Sequence, residues 1–293
     1  MSNARLFSAL AREGSPITGE SRALFPWWSI TKTVLAAAAL RLVDEGRLSL
    51  DSPFKDRRYT LRHLLQHTAG VNTYGGPSYH GAVAAGDPVW PVEDLLARLD
   101  ADTLLFEPGN GWSYSNVGYL FVRQLIEETT GTHIDASLRK LVFEPMDLQH
   151  TRIATTLDDL GLTQWGNAKG YDPGWVYHSL LIGPPSDAVS FLRRLFARGF
   201  LSAKSARAMR QVYALGDEVP GRPWRKTGYG LGLMIGTMVS GGQVYGHTGG
   251  GPGSTSALYC FADLPDRPIV AVFAQGNDEG IAEYEAERLA LSR

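Results

Sequence analysis

The stretch that decides the fold is Phe25-Pro26-Trp27-Trp28-Ser29-Ile30-Thr31-Lys32, which runs into the apolar segment from Val34 to Leu40. From Ser29 the pattern predicts a helix to Glu45, stopped by Gly46, a residue suited to the left-handed turn after a helix. The middle of this helix, Ala36 to Ala39, carries only small side chains, so other elements can approach it closely and it belongs at the centre of the fold. Ser29 and Lys32, three residues apart, share one face with Cβ atoms about 5–6 Å apart. A serine hydroxyl is a weak nucleophile unless a neighbouring base takes its proton, and an amine at this spacing can do so. The helix start adds unpaired N–H groups and a positive dipole end, both suited to an oxyanion. Alone, the same residues also describe an N-cap serine and a solvated first-turn lysine.

Composition narrows the choice of class. A chain of 293 residues with 44% hydrophobic and 20% charged residues is that of a soluble globular protein able to bury a large core. The formal net charge of −2 supplies neither the basic field that binds nucleic acid nor a polybasic membrane patch. The Val34–Leu40 run falls far short of the roughly 20 apolar residues that span a bilayer. Met1 to Gly14 has charges throughout and no apolar leader, so a cytoplasmic location is expected. Cys260 is the single cysteine; it lies in the apolar run Ala257 to Phe261 and reads as a buried structural thiol.

Further along, Thr60 to Gly70 reads as a short helix ending at Gly70. The Gly-, Pro-, Ser- and Tyr-rich stretch from Val71 to Val89 reads as a long surface loop. Helices are expected at Pro91–Leu99, Val117–Thr130, Ile134–Val142, Ser186–Ala197 (capped by Ser186 or Asp187), Ala203–Tyr213 and Glu279–Leu291. After Pro220 the period changes to that of strands, at Tyr229–Val239, Gln243–His247, Ser254–Phe261 and Pro268–Ala274. Helices in the middle and hairpin-linked strands at the end predict an α+β fold with an antiparallel sheet backed by helices. One domain is expected, with a helical lobe over about 30–215 and a sheet lobe over about 1–28 and 216–293.

Chemically useful residues fall at three structural breaks: Ser29-x-x-Lys32 at a helix start, Tyr114-x-Asn116 at a loop-to-helix junction, and His247-Thr248-Gly249-Gly250 at a strand end. Glycines in the third let a substrate lie against the backbone. Each motif is weak alone; their order and their settings make the set specific. With Leu64-Leu65-Gln66-His67-Thr68-Ala69-Gly70, Phe106-Glu107-Pro108-Gly109 and Trp112 to Tyr119, the chain resembles the serine β-lactamase and penicillin-recognising enzyme superfamily. Within it, the resemblance is to the branch of class C β-lactamases, D-alanyl-D-alanine carboxypeptidases, D-aminopeptidases and related esterases. It covers the chain from about Ile17 to the end.

The resemblance implies a β-lactamase/transpeptidase-like fold and a cofactor-free, metal-free hydrolase working through an acyl-serine. Ser29 would be the nucleophile. Lys32 and Tyr114 would activate it and carry its proton to the leaving group; both titrate near ~10 when unperturbed, and the sequence leaves open which is the base. Asn116 would hydrogen-bond the acyl-side carbonyl. His247, Thr248, Gly249 and Gly250 would bind substrate, and the backbone N–H groups of Ser29 and Gly250 would form the oxyanion hole. The expected substrate is a small ester, amide or β-lactam, with an esterase or D-aminopeptidase-like activity first. A penicillin-binding carboxypeptidase or β-lactamase is the alternative, and a non-catalytic sensor on the same fold the reading from another class.

Two departures from the family pattern carry expectations. His247 stands where many β-lactamases have Lys, which weakens a carboxylate anchor. Only a short segment precedes Ser29, so the N-terminal strands are expected to be truncated to at most one short strand or helix. Pro268–Ala274 would then be a sheet edge, inviting strand pairing in a homodimer. Rival motifs are weaker. His63-x-x-x-His67 lacks the Glu of a zinc helix, and His67 reads as a satisfied structural histidine. There is no Gly-x-Ser-x-Gly elbow, so His178 reads as loop packing and Asp187 as a helix cap rather than as triad members. Trp27 and Trp28 read as core or pocket wall.

Overall fold

The computed structural model describes residues 5–53, 56–165 and 170–292. The N-terminal segment forms strands β1 (Leu6–Ala11), β2 (Thr18–Gly19) and β3 (Phe25–Pro26), and β3 leads into helix α1 (Ile30–Asp44). Ala36 to Ala39 of α1 are fully buried, and so are the larger Val34, Leu35, Leu40 and Leu42, so the helix is covered all round. It ends at Glu45, with Gly46 at φ 71.

Helix α2 (Leu61–Gln66) is capped by Thr60, whose hydroxyl and backbone pair reciprocally with His63. It stops at His67, which takes the left-handed conformation (φ 62) ahead of the expected stop at Gly70. The stretch expected to be a loop holds helix α3 (Pro77–Ala85), bracketed by Pro at its first position and left-handed Gly86. Only Tyr79 and Ala82 of α3 are buried, so its sequence lacks the apolar period that announces a helix. Then come α4 (Val92–Arg98), α5 (Asn116–Thr130), α6 (Ile134–Leu138), which continues into a π-helical turn over Arg139–Phe143, β4 (Arg152–Ala154) and α7 (Leu157–Gly161). β5 (Leu180–Gly183), α8 (Pro185–Leu195) and α9 (Ala203–Met209) complete the middle of the chain. Pro184, rather than Ser186 or Asp187, holds the cap position of α8. The Asp187 carboxylate instead accepts the His150 N–H (3.1 Å) and the Thr151 hydroxyl (2.9 Å), so it fastens a distant loop.

The last third alternates β6 (Tyr213–Gly216), β7 (Trp224–Tyr229), β8 (Met234–Met238), β9 (Gly242–Gly251), β10 (Ser254–Phe261) and β11 (Ile269–Gln275), and closes with α10 (Glu279–Leu291). Among the described residues the main sheet is antiparallel, in the order β2-β1-β11-β10-β9-β8-β7-β6. This is the β-lactamase/transpeptidase-like α+β architecture. A second sheet, β3-β5-β4, joins Phe25 and Pro26 to Gly183 and Ile182. It clamps the entry to α1, because Trp27 N–H donates to Leu181 O (2.8 Å) and Leu181 N–H to the Thr31 hydroxyl (3.2 Å).

The expectation of at most one strand ahead of Ser29, with Pro268–Ala274 at a sheet edge, is overturned. Both β1 and β2 precede β3, although β2 is a two-residue stub, and β11 is an inner strand between β10 and β1 (Ala9 opposite Ala271). The composition of β11 explains this. Its side chains from Ile269 to Ala274 are all buried, so it must be covered on both faces. Val270, Val272 and Ala274 pack with Ala282, Ala286 and Ala290 of α10, whose four-residue spacing puts three small residues on one stripe. Ala271 and Phe273 pack into the core on the other face. The reason for pairing copies through β11 falls with its edge position. Cys260 is a buried free thiol, as expected.

Candidate active site

Ser29 sits at the cap position of α1 with α-region backbone angles, and its side chain makes no capping hydrogen bond. The hydroxyl is therefore free for chemistry. Its position is held by the residue before it. Trp28 has φ 45, strained for a large side chain, and its indole N–H donates to the Ser254 hydroxyl (2.9 Å). Trp27 is fully buried in the core, with its indole N–H on Gly183 O (3.2 Å).

Lys32 lies one turn into α1 and is fully buried. Its Nζ is 3.2 Å from Ser29 Oγ and 3.0 Å from His178 Nε2, and it stands over the rings of Tyr114 (5.0 Å to the centroid) and Tyr119 (5.7 Å). No carboxylate among the described residues offsets its charge, so burial drives its pKa well below that of an ordinary lysine. His178 was expected only to pack a loop. It is instead buried against the catalytic candidate amine, and its Nδ1 is 3.0 Å from the Tyr74 hydroxyl. The only sequence signal was a histidine just ahead of an apolar strand.

Tyr114 is presented by the turn into α5. Ser115 caps that helix through the Gly118 N–H (2.9 Å) and donates to Asn72 O (2.7 Å). The Ser115 N–H donates to His67 Nδ1 (3.0 Å), and the His67 ring lies under Tyr114 at 4.3 Å between centroids. His67 is thus a scaffold for the tyrosine, although its Nε2 has no partner among the described residues, which corrects the expectation of a fully satisfied ring. Burial raises the Tyr114 phenol above its usual pKa, while the facing Ser29 hydroxyl pulls it down. Asn116, at the first position of α5, borders the cavities on both sides of Ser29.

Strand β9 brings the third segment in. A β-carbon at Gly249 would sit 2.7 Å from Trp27 O and 2.8 Å from Ser29 N, so only glycine lets the strand come this close to the start of α1. Gly250 borders both cavities. The two side chains of the motif are engaged within the protein. His247 is buried, with Nδ1 2.6 Å from Thr248 O and Nε2 2.8 Å from the Tyr229 hydroxyl. Nδ1–H therefore donates to the carbonyl and Nε2 accepts from the phenol, a neutral ring whose pKa burial pushes down to about 3. The Thr248 hydroxyl pairs with Tyr259 (2.6 Å) and donates to Glu283. His247 and Thr248 shape the site without offering it a free charge. His63 serves the α2 cap, so the His63–His67 spacing has another use.

The family model named Beta-lactamase matches residues 6–292. Among curated relatives, esterase EstB of Burkholderia gladioli is 31% identical over 147 residues, 43% of this chain and 37% of its own. Penicillin-binding protein 4* of Bacillus subtilis (strain 168) is 23% identical over 91% of this chain and 63% of its own. The chain thus spans less than two thirds of the length of either. Among solved structures, a D-stereospecific amidohydrolase from Streptomyces sp. superposes with a TM-score of 0.80 at 24% identity, covering 99% of this chain and 95% of that one. The D-amino acid amidase of Ochrobactrum anthropi SV3, complexed with D-phenylalanine, gives 0.79 at 20% identity, covering 98% and 93%.

Proposed function

The chain belongs to the beta-lactamase family, and from that premise we propose that it is a serine hydrolase cleaving small esters or amides through an acyl-serine intermediate. The observation that carries this reading is the fully buried Lys32 amine, 3.2 Å from Ser29 Oγ and without a counter-charge among the described residues. A lysine so desolvated gives up its proton far more readily than one in water, and is a base when neutral.

In this reading Ser29 Oγ attacks the substrate carbonyl as its proton passes to Lys32. The N–H groups of Ser29 and Gly250 hold the oxyanion. Such donors contribute about 3–4 kcal/mol each in comparable enzymes. The tetrahedral adduct collapses by breaking the bond to the leaving group, which takes up a proton through Tyr114 and Lys32. A water then attacks the acyl-Ser29 ester by the same route in reverse, releasing the acid and restoring the serine hydroxyl. Asn116 orients the acyl carbonyl. The names of the esterase and amidohydrolase neighbours support hydrolysis of an ester or amide, and the uncharged His247 gives no anchor for a β-lactam carboxylate.

Incubation with a fluorophosphonate followed by mass spectrometry should place the label on Ser29, and Ser29→Ala should abolish hydrolysis of p-nitrophenyl esters. A penicillin in parallel should leave no lasting adduct. Unchanged turnover by Ser29→Ala would end the assignment, and a persistent penicillin adduct would favour a penicillin-binding role. No label from either reagent would favour a non-catalytic sensor.

A further inference from the structure

Two cavities meet at Ser29, Asn116 and Gly250. One, about 270 Å³, is walled by Trp28, Tyr74, Tyr79 and Tyr171. The other, about 410 Å³, runs past Tyr114 to Arg222 and Glu279. Tyr114 lines only the second. A departing group must collect a proton as it leaves, so it belongs beside Tyr114, and the acyl group lies in the aromatic cavity.

The charges in the leaving-group cavity do not favour an anion. Among the described residues lining it, Arg222 and Glu279 carry charge. Each guanidinium nitrogen of Arg222 already faces a carboxylate. Nε donates to Glu283 Oε2 (2.7 Å), Nη2 to Glu283 Oε1, and Nη1 pairs with Glu279 Oε2 (2.7 Å). One guanidinium against two carboxylates leaves a formal charge of −1. Glu283 is fully buried, whereas the Glu279 side chain is 37% exposed, so the surplus reaches the cavity at Glu279. Its Oε1 accepts no hydrogen bond among the described residues. It lies 2.8 Å from where a β-carbon on Gly250 would be, beside the strand that borders Ser29.

We propose that Glu279 makes the site selective for substrates whose leaving group carries a positive charge and selects against leaving groups bearing a carboxylate. The inference rests on the serine-hydrolase reading and deepens it. A carboxylate placed here meets Glu279 and an arginine already neutralised, while an ammonium gains a carboxylate that the fold has left unpaired on one oxygen. Glu279 acts on the departing portion of the substrate only; it takes no proton and forms no bond.

The test uses three acetate esters that differ at one position of the departing phenol: meta-trimethylammonium, unsubstituted and meta-carboxylate. For each, kcat/KM is measured in the unaltered protein, in Glu279→Gln and in Glu279→Asp, with melting curves to confirm folding. Comparing the cation-to-anion ratio between proteins cancels the intrinsic reactivity of the esters. The ratio should fall about tenfold or more in Glu279→Gln, the size expected for a charge pair a few ångströms apart near a protein surface. It should be partly kept in Glu279→Asp. An unchanged ratio in a folded, Ser29-dependent Glu279→Gln protein would overturn the role of Glu279 and leave the hydrolase reading standing. Absence of Ser29-dependent turnover with all three esters would overturn both.

Discussion

The Lys32 Nζ stands 3.0 Å from His178 Nε2 and 3.2 Å from Ser29 Oγ, so one buried amine joins the serine to an imidazole from a distant part of the chain. The Tyr74 hydroxyl lies 3.0 Å from His178 Nδ1, so the phenol and the Lys32 amine hold the two ring nitrogens of one imidazole. Burial, the leading cause, holds the His178 imidazole neutral by driving its pKa well below the ordinary value.

His178→Ala should therefore lower kcat by about tenfold or more, with KM little changed, and shift the pH dependence of kcat/KM. In the unaltered protein activity should rise with pH as Lys32 loses its proton, at a midpoint well below the ordinary lysine value of 10.5. A His178→Ala variant with the same pH profile would show that the imidazole only fills space.

Gly249→Ala should cost at least ~100-fold in kcat, because the added methyl would meet Trp27 O and Ser29 N at 2.7 and 2.8 Å and push the strand off the helix start. Gly81→Ala is the control. A β-carbon there meets nothing within 4 Å, and in the middle of α3 it should leave ester hydrolysis unchanged. Equal activity of the two variants would show that the close approach does not matter.

Acid should destabilise the fold through its buried histidines. His67, His178 and His247 all titrate below their ordinary value of 6.5, His247 at about 3, with desolvation as the leading cause. Between pH 6.5 and 3 the unfolded chain binds more protons than the folded one, so stability is present above 6.5 and is lost as the pH falls. Burial of neutral His247 alone corresponds to a few kcal/mol in this window, to order of magnitude. Urea titrations at pH 7 and pH 4.5 should show a smaller loss in His247→Gln than in the unaltered protein; equal losses would refute the contribution.

Arg222→Ala should destabilise by about 3–5 kcal/mol, since it strands the fully buried Glu283 carboxylate. Adding Glu283→Gln should recover part of that loss, because an uncharged amide no longer needs the guanidinium. Chemical denaturation of the two variants measures the difference, and no recovery would mean that packing rather than charge holds this corner.

Local sequence determined the parts of this protein that depend on near neighbours. The Ser29–Lys32 pair, the buried Ala-rich helix, the junction at Tyr114 and the terminal helix Glu279–Leu291 are all set by periods and breaks within a few residues. The α3 helix escaped because it buries only two side chains, and β6 because Ala214 to Gly216 are exposed. Tertiary structure alone decided that β11 lies inside the sheet, since that depends on six residues near the N-terminus pairing with it from the far end of the chain. It also decided what His178, Arg222 and Glu279 do. A histidine becomes a partner of Lys32, and a glutamate a charge in a cavity, only when distant segments exclude water around them, and sequence spacing holds no record of that desolvation.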